Sequence, residues 1–344
     1  MLSRYRWLVL AAGTAAQTSF SAVIIGLPVL APALRDEHSL SLLQVGVVLD
    51  SLWIGTLVTL LPWGLLADRR GERLVLATGL TLCAGALVAA GSAAGFWALI
   101  ALIFLAGAAG ASVPPAFAAV VAASSWRIGF AGAAFGVAVI RDRQGHTEDD
   151  VLEPRGLGAT LRDHRLWLLC TGSSFYLVAQ LALISFLVLF LHDERGLSGA
   201  AAAGVLGGAQ VVAAGMRIGS GIWSDRIGSR IRPLLLVGLG SSITLAVVAA
   251  ALSAPLVVLI PAMVVAGGLS MAWNGLSFTA AAEIAGRSRS GAALGMQQSA
   301  LAAAGAIVPP AFAAVVAASS WRIGFAGAAV FPLAGVLLLR PLRA

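Results

Sequence analysis

Long apolar runs separated by short charged connections make up most of the 344-residue chain. Most runs reach the roughly 20 residues that a helix needs to cross a bilayer. In lipid every backbone polar group must be bonded internally, and the alternating pattern of a membrane barrel is missing, so the runs predict helices. The predicted spans are 7–33, 43–67, 73–91, 96–123, 128–140, 166–191, 199–222, 233–252, 255–283, 291–318 and 322–340.

The composition agrees with a membrane protein. Hydrophobic residues make up 59% of the chain and charged residues 11%, whereas soluble domains carry roughly 25% charged residues. A soluble globular domain, a disordered chain and a disulfide scaffold are therefore excluded, and we expect an all-α polytopic membrane protein. The formal charge of +7 does not indicate nucleic-acid binding, because the arginines form short clusters between apolar runs and no basic face.

Arginine positions predict the orientation. All 22 basic residues are arginines, and 17 of them fall in one set of alternate connections, which the positive-inside rule places in the cytoplasm. We therefore expect a bacterial-type inner (plasma) membrane protein with both termini cytoplasmic. Arg217 falls inside a span, and the opposite connections hold Arg35, Arg127, Arg195 and Arg322.

One long polar stretch divides the chain. Residues 141–165 form the only extended polar connection, and we expect a cytoplasmic linker there. The predicted domains are an incomplete N-terminal helical bundle at 1–140, this linker at 141–165 and a C-terminal six-helix bundle at 166–344.

A ten-residue pattern occurs twice, at the end of the second span of each half. GLLADRRGER (64–73) aligns without gaps on GIWSDRIGSR (221–230). Glycines suit close approach and positive φ, the aspartate could cap the next helix, and the arginines would anchor the turn at the inner face. Two symmetric copies favour a cytoplasmic gate, while a turn with a topology signal is the alternative. The matching residues are Gly64, Asp68, Arg69, Gly71 and Arg73 in the first copy, and Gly221, Asp225, Arg226, Gly228 and Arg230 in the second.

This doubled motif resembles the loop signature of the major facilitator superfamily. The resemblance implies two six-helix bundles, a central site for a small-molecule substrate, and alternating access by rocking of the bundles. A proton or other ion is a candidate coupling partner. Arg70 stands where the family often has an aromatic or apolar residue, and Glu72 where it usually has a basic one, so we expect a weaker first copy of the motif.

A second repeat is much younger. Residues 108–134 and 303–329 are identical at 26 of 27 positions, the exception being Ser112 against Ile307. The spacing from Gly64 to Trp126 is 62 residues, but the matching spacing from Gly221 to Trp321 is 100. We infer a recent recombination, or a cloning or assembly event, that removed 38 residues from the first half.

This loss leaves 10–11 spans in place of the 12 that the resemblance implies. Segment 96–123 should copy the helix at 291–318, kinked by its Pro-Pro pair. Segment 128–140 is too short to cross the bilayer fully. We expect it to lie at the inner interface, and the alternative is a short sixth helix.

Ionisable groups inside spans are functional hypotheses. Asp50 is a candidate for proton or cation coupling, or for a hydrogen bond between helices. Arg217 either extends to the interface or joins the gate through Asp225 or a nearby carboxylate, and Glu283 is a candidate gate or helix-end partner. The candidate cavity residues are Gln17, Trp53, Tyr176, Gln180, Gln210, Asn274 and Gln297.

The sequence contains no catalytic, metal or cofactor motif that we recognise. Cys83 and Cys170 lie far apart in separate apolar runs, which argues against a disulfide or metal site. We therefore expect a secondary active or facilitative transporter of a small solute and no enzyme. The alternative is a membrane-inserted remnant of a transporter that recombination has inactivated.

Overall fold

The computed structural model describes residues 19–70, 72–113, 154–286 and 289–343. Its regular elements in these ranges are helices, and they contain seven segments long and apolar enough to cross a membrane, or eight if the bent pair α1–α2 counts as one. In chain order the helices are α1 (Ser19–Val29), α2 (Ala31–His38), α3 (Leu42–Arg70), α4 (Glu72–Ala90), α5 (Phe96–Gly110), α6 (Pro154–Arg162), α7 (His164–Asp193), α8 (Gly199–Ile227), α9 (Ile231–Ala251), α10 (Leu256–Ser270), α11 (Asn274–Ala285), α12 (Ser290–Gly305), α13 (Val308–Ala318) and α14 (Trp321–Leu339), followed by a 3₁₀ turn at Arg340–Arg343.

Three predicted spans are broken helices. The span 7–33 bends by 52° at Leu30, between α1 and α2. The predicted span 291–318 is interrupted between α12 and α13 at Ala306–Ile307, just before Pro309 and Pro310. Prolines lack the amide hydrogen that would continue the helix, so the predicted kink is confirmed in this copy. The span 255–283 is interrupted at residues 271–273 between α10 and α11, which the sequence did not predict. The Pro-Pro pair of the first copy and segment 128–140 lie outside the described residues.

Local capping explains where several helices begin and end. Ser198 and Ser320 accept hydrogen bonds from the amides of Ala201 and Ile323 and so cap α8 and α14. Asp163 caps α7 in the same way through Arg165. The helix α8 ends only at Ile227, five residues later than predicted for 199–222, because Gly228 adopts a positive φ of 62°.

The helices form two compact units. The first unit takes in the described residues of 1–26 and 51–154, and the second those of 27–50 and 155–344. In the first unit α3 and α5 approach closely, because a Cβ on Gly107 would lie 2.1 Å from the carbonyl oxygen of Leu52. Thr59 and Trp63 of α3 also donate to the carbonyl of Ala108, each at 2.7 Å. Small residues and such hydrogen bonds are the usual means of helix association in lipid.

The second unit is built around α7, which contacts α8, α10, α11, α12, α13 and α14. An aromatic cluster fills the region where α7 meets α13 and α14. Phe186 of α7 stacks on Phe312 with ring centroids 4.9 Å apart, and Phe312 lies 5.2 Å from Phe325. Phe312, Trp321 and Phe325 all belong to the second copy of the 27-residue repeat. The predicted division at residues 141–165 stays a prediction, since half of this stretch lies outside the described residues.

Candidate functional site

An ionic cluster joins the turn between α8 and α9 to the end of α11. The guanidinium of Arg230 donates through Nε to Glu283 Oε1 at 2.9 Å and through Nη1 to Ser224 Oγ at 3.0 Å. It also pairs with the carboxylate of Asp225. We call Ser224, Asp225, Arg230 and Glu283 the elbow cluster. It connects two residues near the end of α8, the start of α9 and the last turn of α11 through one cation.

The predicted roles of the motif residues agree with the structure only in part. Gly228 uses its positive φ, but a Cβ on Gly221 would meet nothing within 4 Å, so the predicted close approach at Gly221 is wrong. The predicted capping role of Asp225 is also wrong: Arg230 is the N-cap residue of α9, no side chain caps it, and Asp225 pairs with its guanidinium. Arg226 has an exposed side chain on the last turn of α8.

Electrostatics favour the charged form of Arg230. Partial burial disfavours its charge, but hydrogen bonds and charge from Asp225 and Glu283 outweigh burial and raise the pKa of Arg230 above its usual value. Glu283 and Asp225 are themselves well exposed, at 54% and 64% of their side chains. The cluster is therefore a solvent-accessible ion-pair network.

The first copy of the motif is described only in its backbone. Gly64, Asp68 and Arg69 lie in the last turns of α3, and Arg73 lies in the first turn of α4. Gly71 lies outside the described residues. In both copies the aspartate and the first arginine are thus helical, because the helices extend further than the predicted spans.

A second set of polar contacts lies at the opposite end of α7 and α8. Arg35, at the end of α2, pairs with Asp193, which also bonds Nδ1 of His192 at 2.9 Å. Arg195 donates to the carbonyls of Leu252 and Ala254 at 2.5 and 2.7 Å, and Arg322 donates to Ser253. Three of the four arginines predicted on the non-cytoplasmic side therefore lie together at one end of the second unit, and Arg127 lies outside the described residues.

Asp50 is buried without a partner for one of its carboxylate oxygens. Its residue is 6% exposed, and Oδ1 accepts no hydrogen bond from the described part of the chain. It lies one turn beyond Gly46 on α3, where a Cβ would come within 2.9 Å of Ala313 Cβ. An unpaired carboxylate in a span is unfavourable unless it binds a proton or a cation.

Arg217 contacts the break between α10 and α11. Its Nε donates to the carbonyl of Met271 at 2.8 Å, and Ser220, three residues on, donates to the carbonyl of Ala272 at 3.4 Å. Asp225, which the sequence offered as a partner for Arg217, pairs with Arg230. The expectation that Arg217 joins the gate through Asp225 is therefore wrong, and it bonds a backbone carbonyl freed by the broken helix.

The candidate cavity residues divide into several environments. Gln297 donates to Ser277, which also bonds Ser173, so a buried polar chain links α12, α11 and α7. Tyr176 lies in a different place, since its ring packs against Gly238 of α9 and Gly335 of α14. Three further residues have buried polar atoms unbonded within the described ranges: Gln180, Gln210 and Asn274. Trp53 is half-buried in the first unit, and Gln17 lies outside the described residues.

Sequence reasoning missed Ser173, Ser277 and Trp273. Serines are common in apolar helices, and their pairing depends on how α7 and α11 pack, which no local pattern gives. Trp273 carries a weak signal, because it precedes Asn274 in the middle of a long apolar run. The indole Nε1 is buried and makes no hydrogen bond to the described residues.

Comparisons with known proteins bear on the whole chain. The family model of the Major Facilitator Superfamily matches residues 9–140 and 123–309. The chain is 28% identical to the uncharacterized MFS-type transporter Rv2994 of Mycobacterium tuberculosis over 385 aligned positions, which cover 98% of this chain and 85% of the relative. Since the alignment is at least 41 positions longer than the 344-residue chain, the relative carries residues that this chain lacks.

Solved transporters share the fold. The nucleoside transporter NupG superposes with a TM-score of 0.69 at 14% identity, covering 98% of both chains. A bacterial homologue of the human lysosomal transporter Spinster, in an inward-facing and occupied conformation, gives a TM-score of 0.70 at 16% identity, covering 98% of this chain and 96% of that one. These structures show the fold, and the family model, which matches most of the chain, shows that the chain belongs to the major facilitator superfamily of membrane transporters.

Proposed function

We propose that this chain is a secondary active or facilitative transporter that moves a small solute by alternating access. Membership of the transporter family supports transport in general. The observation that carries the specific mechanism is the elbow cluster, because Arg230 ties the α8–α9 turn to Glu283 on α11. Exposed ion pairs are worth about 0–1 kcal/mol, so this tie is weak enough to break and re-form during a transport cycle.

The proposed orientation places the elbow cluster in the cytoplasm. Arg35, Arg195 and Arg322 then face the opposite side of a bacterial-type inner membrane, and both termini are cytoplasmic. The proposed domains are the incomplete bundle 1–140, the linker 141–165 and the six-helix bundle 166–344.

Asp50 is the proposed coupling residue. Its burial and its unpaired Oδ1 support a role in which the carboxylate takes up a proton or another cation on one side and releases it on the other. An ion gradient would then drive the solute.

A second candidate is a membrane-inserted remnant that no longer transports. Two observations favour it: the near-identity of residues 108–134 and 303–329, and the additional residues of the mycobacterial relative. Residues 123–140 are also matched in both stretches of the family model, as expected where two copies of one sequence were joined.

Uptake into proteoliposomes tests the proposal. The chain would be compared with empty liposomes and with a version whose missing first-half residues are supplied from the aligned part of the mycobacterial relative. The solute panel would contain neutral and anionic compounds, and nucleosides because of the fold likeness to NupG. Uptake by both proteins supports the transporter, and uptake by the restored version alone supports the remnant. The absence of uptake from both contradicts the proposed function for the solutes tested.

A further inference from the structure

Four arginines with exposed side chains lie at the end of the second unit where α6 meets α7, α9 begins and α14 ends. We call them the arginine belt: Arg162, Arg165, Arg232 and Arg340. Their guanidinium groups form no hydrogen bond or ion pair with any residue in the described ranges. At the opposite end of the same unit, Arg35, Arg195 and Arg322 all bond protein atoms. The described part of the chain therefore leaves the charge of the belt uncompensated.

Contacts among α7, α9 and α14 bring the three helices to a common level. A Cβ on Gly238 of α9 would lie 2.5 Å from Tyr176 Cε1, and one on Gly335 of α14 would lie 2.8 Å from the same ring carbon and from the carbonyl oxygen of Gly172. Four residues further along α14, Leu339 packs on Gly172, where a Cβ would lie 2.6 Å from Leu339 Cγ. The helix α14 therefore runs antiparallel to α7, and the three backbones meet around one tyrosine ring.

Three members of the belt lie at nearly equal distances beyond these contacts. Arg165, Arg232 and Arg340 lie seven, six and five residues away from the contacting glycine of the same helix. At 1.5 Å per residue these separations are about 8–10 Å. The helix α9 also contacts the 3₁₀ turn that begins at Arg340. The three charges therefore form one layer across the ends of three packed helices.

The helix α6 adds Arg162 next to this layer. The indole Nε1 of Trp167 donates to the carbonyl of Leu161 at 2.8 Å, which ties the end of α6 to the first turn of α7. Leu161 and Trp167 are 47% and 49% exposed, and exposed tryptophan beside arginine is typical of residues at the level of lipid headgroups. The neighbouring carboxylate of Asp163 accepts from the backbone amide of Arg165, so it caps α7 and pairs with no guanidinium of the described residues.

Exposed apolar side chains continue from the belt along the same helix faces. Residues three or four apart share a face of a helix. The exposed residues at this spacing from Arg232 and Arg340 are Leu236, Leu239 and Ile243 on α9 and Leu337, Leu333 and Val330 on α14. The helices α9 and α14 pack against each other. Positive charge at the end of an apolar stripe matches the two parts of an anionic phospholipid.

We propose that the arginine belt binds the phosphate of an anionic phospholipid whose acyl chains lie along the exposed stripes of α9 and α14. Guanidinium groups match phosphate oxygens bidentately. The headgroups of phosphatidylglycerol and cardiolipin carry negative charge only, whereas phosphatidylcholine carries its own cation and leaves the belt uncompensated. The assignment does not depend on the proposed transport function, because it needs only that the chain lies in a membrane.

Native mass spectrometry of the purified full chain tests this binding. The probes are phosphatidylglycerol, cardiolipin and phosphatidylcholine, each added in neutral detergent, and glycerol 3-phosphate as a soluble headgroup. We expect an anionic lipid to bind at about tenfold lower concentration than phosphatidylcholine, and glycerol 3-phosphate not to compete at equal concentration. Equal binding of anionic and zwitterionic lipids overturns the proposal. Equally tight binding of glycerol 3-phosphate also overturns it, because the arginines would then bind free phosphate esters.

Substitutions within the belt separate it from general surface charge. Arg165→Gln and Arg340→Gln should each weaken phosphatidylglycerol binding about fivefold, and Arg165→Lys, which keeps the charge, should weaken it less than Arg165→Gln does. Arg322→Gln is the matched control, because Arg322 is exposed at the opposite end of the unit and donates to Ser253. Wild-type binding in both Arg165→Gln and Arg340→Gln, or an equal loss in Arg322→Gln, overturns the proposal.

Thermal unfolding in neutral detergent separates lipid binding from folding. Without added lipid, Arg165→Gln and Arg340→Gln should melt at the wild-type temperature, because neither guanidinium bonds a described residue. Added phosphatidylglycerol should raise the melting temperature of the wild type more than that of either variant. A lower melting temperature of both variants without lipid would give these arginines a role within the chain and overturn the proposal. Absence of uptake contradicts only the proposed transport function, and absence of a preference for anionic lipid contradicts only this site.

Discussion

Tyr176 shows how single residues set helix spacing in the second unit. Its ring lies in a slot between α9 and α14, where a Cβ on Gly238 would come within 2.3 Å of the phenolic oxygen and one on Gly335 within 2.8 Å of the ring. The edge of the same ring faces Trp273, with centroids 6.1 Å apart. The tyrosine therefore packs against α9, α14 and the broken helix, and its assignment to a central cavity stays a prediction.

Gly238→Ala should destabilise the protein by about 1–3 kcal/mol, because an added methyl group would overlap Tyr176. The measurement is thermal unfolding in detergent. Gly240→Ala is the matched control two residues along α9, since its Cβ would lie at an ordinary 3.5 Å from Leu269 and alanine is favoured over glycine in a helix. Equal melting temperatures for the two variants would show that the slot is not tight.

Asp50→Asn should abolish pH-dependent uptake while leaving the fold intact. Asparagine fills nearly the same volume but cannot take up a proton, so any rate that depends on protonation of this carboxylate becomes constant. Uptake into proteoliposomes across a series of external pH values is the measurement. If uptake by Asp50→Asn still depends on pH, this residue has no role in the coupling mechanism.

At the scale of elements, the helix plan was largely predictable and the interruptions only in part. Long apolar runs gave the spans, and Pro309–Pro310 gave the break before α13, because both signals are local. The break before α11 has no such signal, since Met271–Ala272–Trp273 contains neither glycine nor proline. Its carbonyls bond Arg217 and Ser220, so it depends on the packing of α8. The same limit applies to Glu283, whose partner Arg230 lies 53 residues away.

Glu283→Gln should loosen the elbow cluster more than Asp225→Asn does. Asp225 and Arg230 lie on the same turn, whereas the ion pair of Arg230 with Glu283 connects that turn to α11. Ser224 is fully buried and accepts from Arg230, so its accessibility reports on release of the guanidinium. The rate of maleimide labelling of Ser224→Cys should rise up to about fivefold with Glu283→Gln, as expected for loss of a pair worth up to about 1 kcal/mol.

The same labelling experiment has a built-in comparison. When Asp225→Asn is added to Ser224→Cys, the rate of maleimide labelling should stay close to that of Ser224→Cys alone, because Arg230 keeps its bond to Glu283. Cys83 and Cys170 are both buried, so the background is expected to be low. A larger effect from Asp225→Asn than from Glu283→Gln would contradict the assignment of the long-range tie to Glu283.

At the scale of the whole molecule, the sequence indicated both the family and the shortened first half of the chain. The doubled motif identified the family, and the unequal spacings located the loss in the first half. Residues 114–134 of the first repeat copy lie outside the described residues, and their packing was not predictable, because the two halves offer different neighbouring sequences. Phe186 and Phe190 pack on the second copy. The two copies of the ten-residue pattern lie 157 residues apart, and at that offset these phenylalanines correspond to Val29 and Ala33. Aromatic stacking that stabilises one copy is therefore not available from the equivalent positions for the other.

The second compact unit contains a segment that lies far from it in sequence. Residues 27–50 form one compact unit with residues 155–344. Arg35 pairs with Asp193, and Gly46 packs against Pro309 and Ala313. A fragment starting at the polar connection would therefore lack the arginine partner of Asp193 and the part of α3 that packs on α13. Separate expression of residues 1–140 and 166–344 would therefore divide this compact unit between two polypeptides.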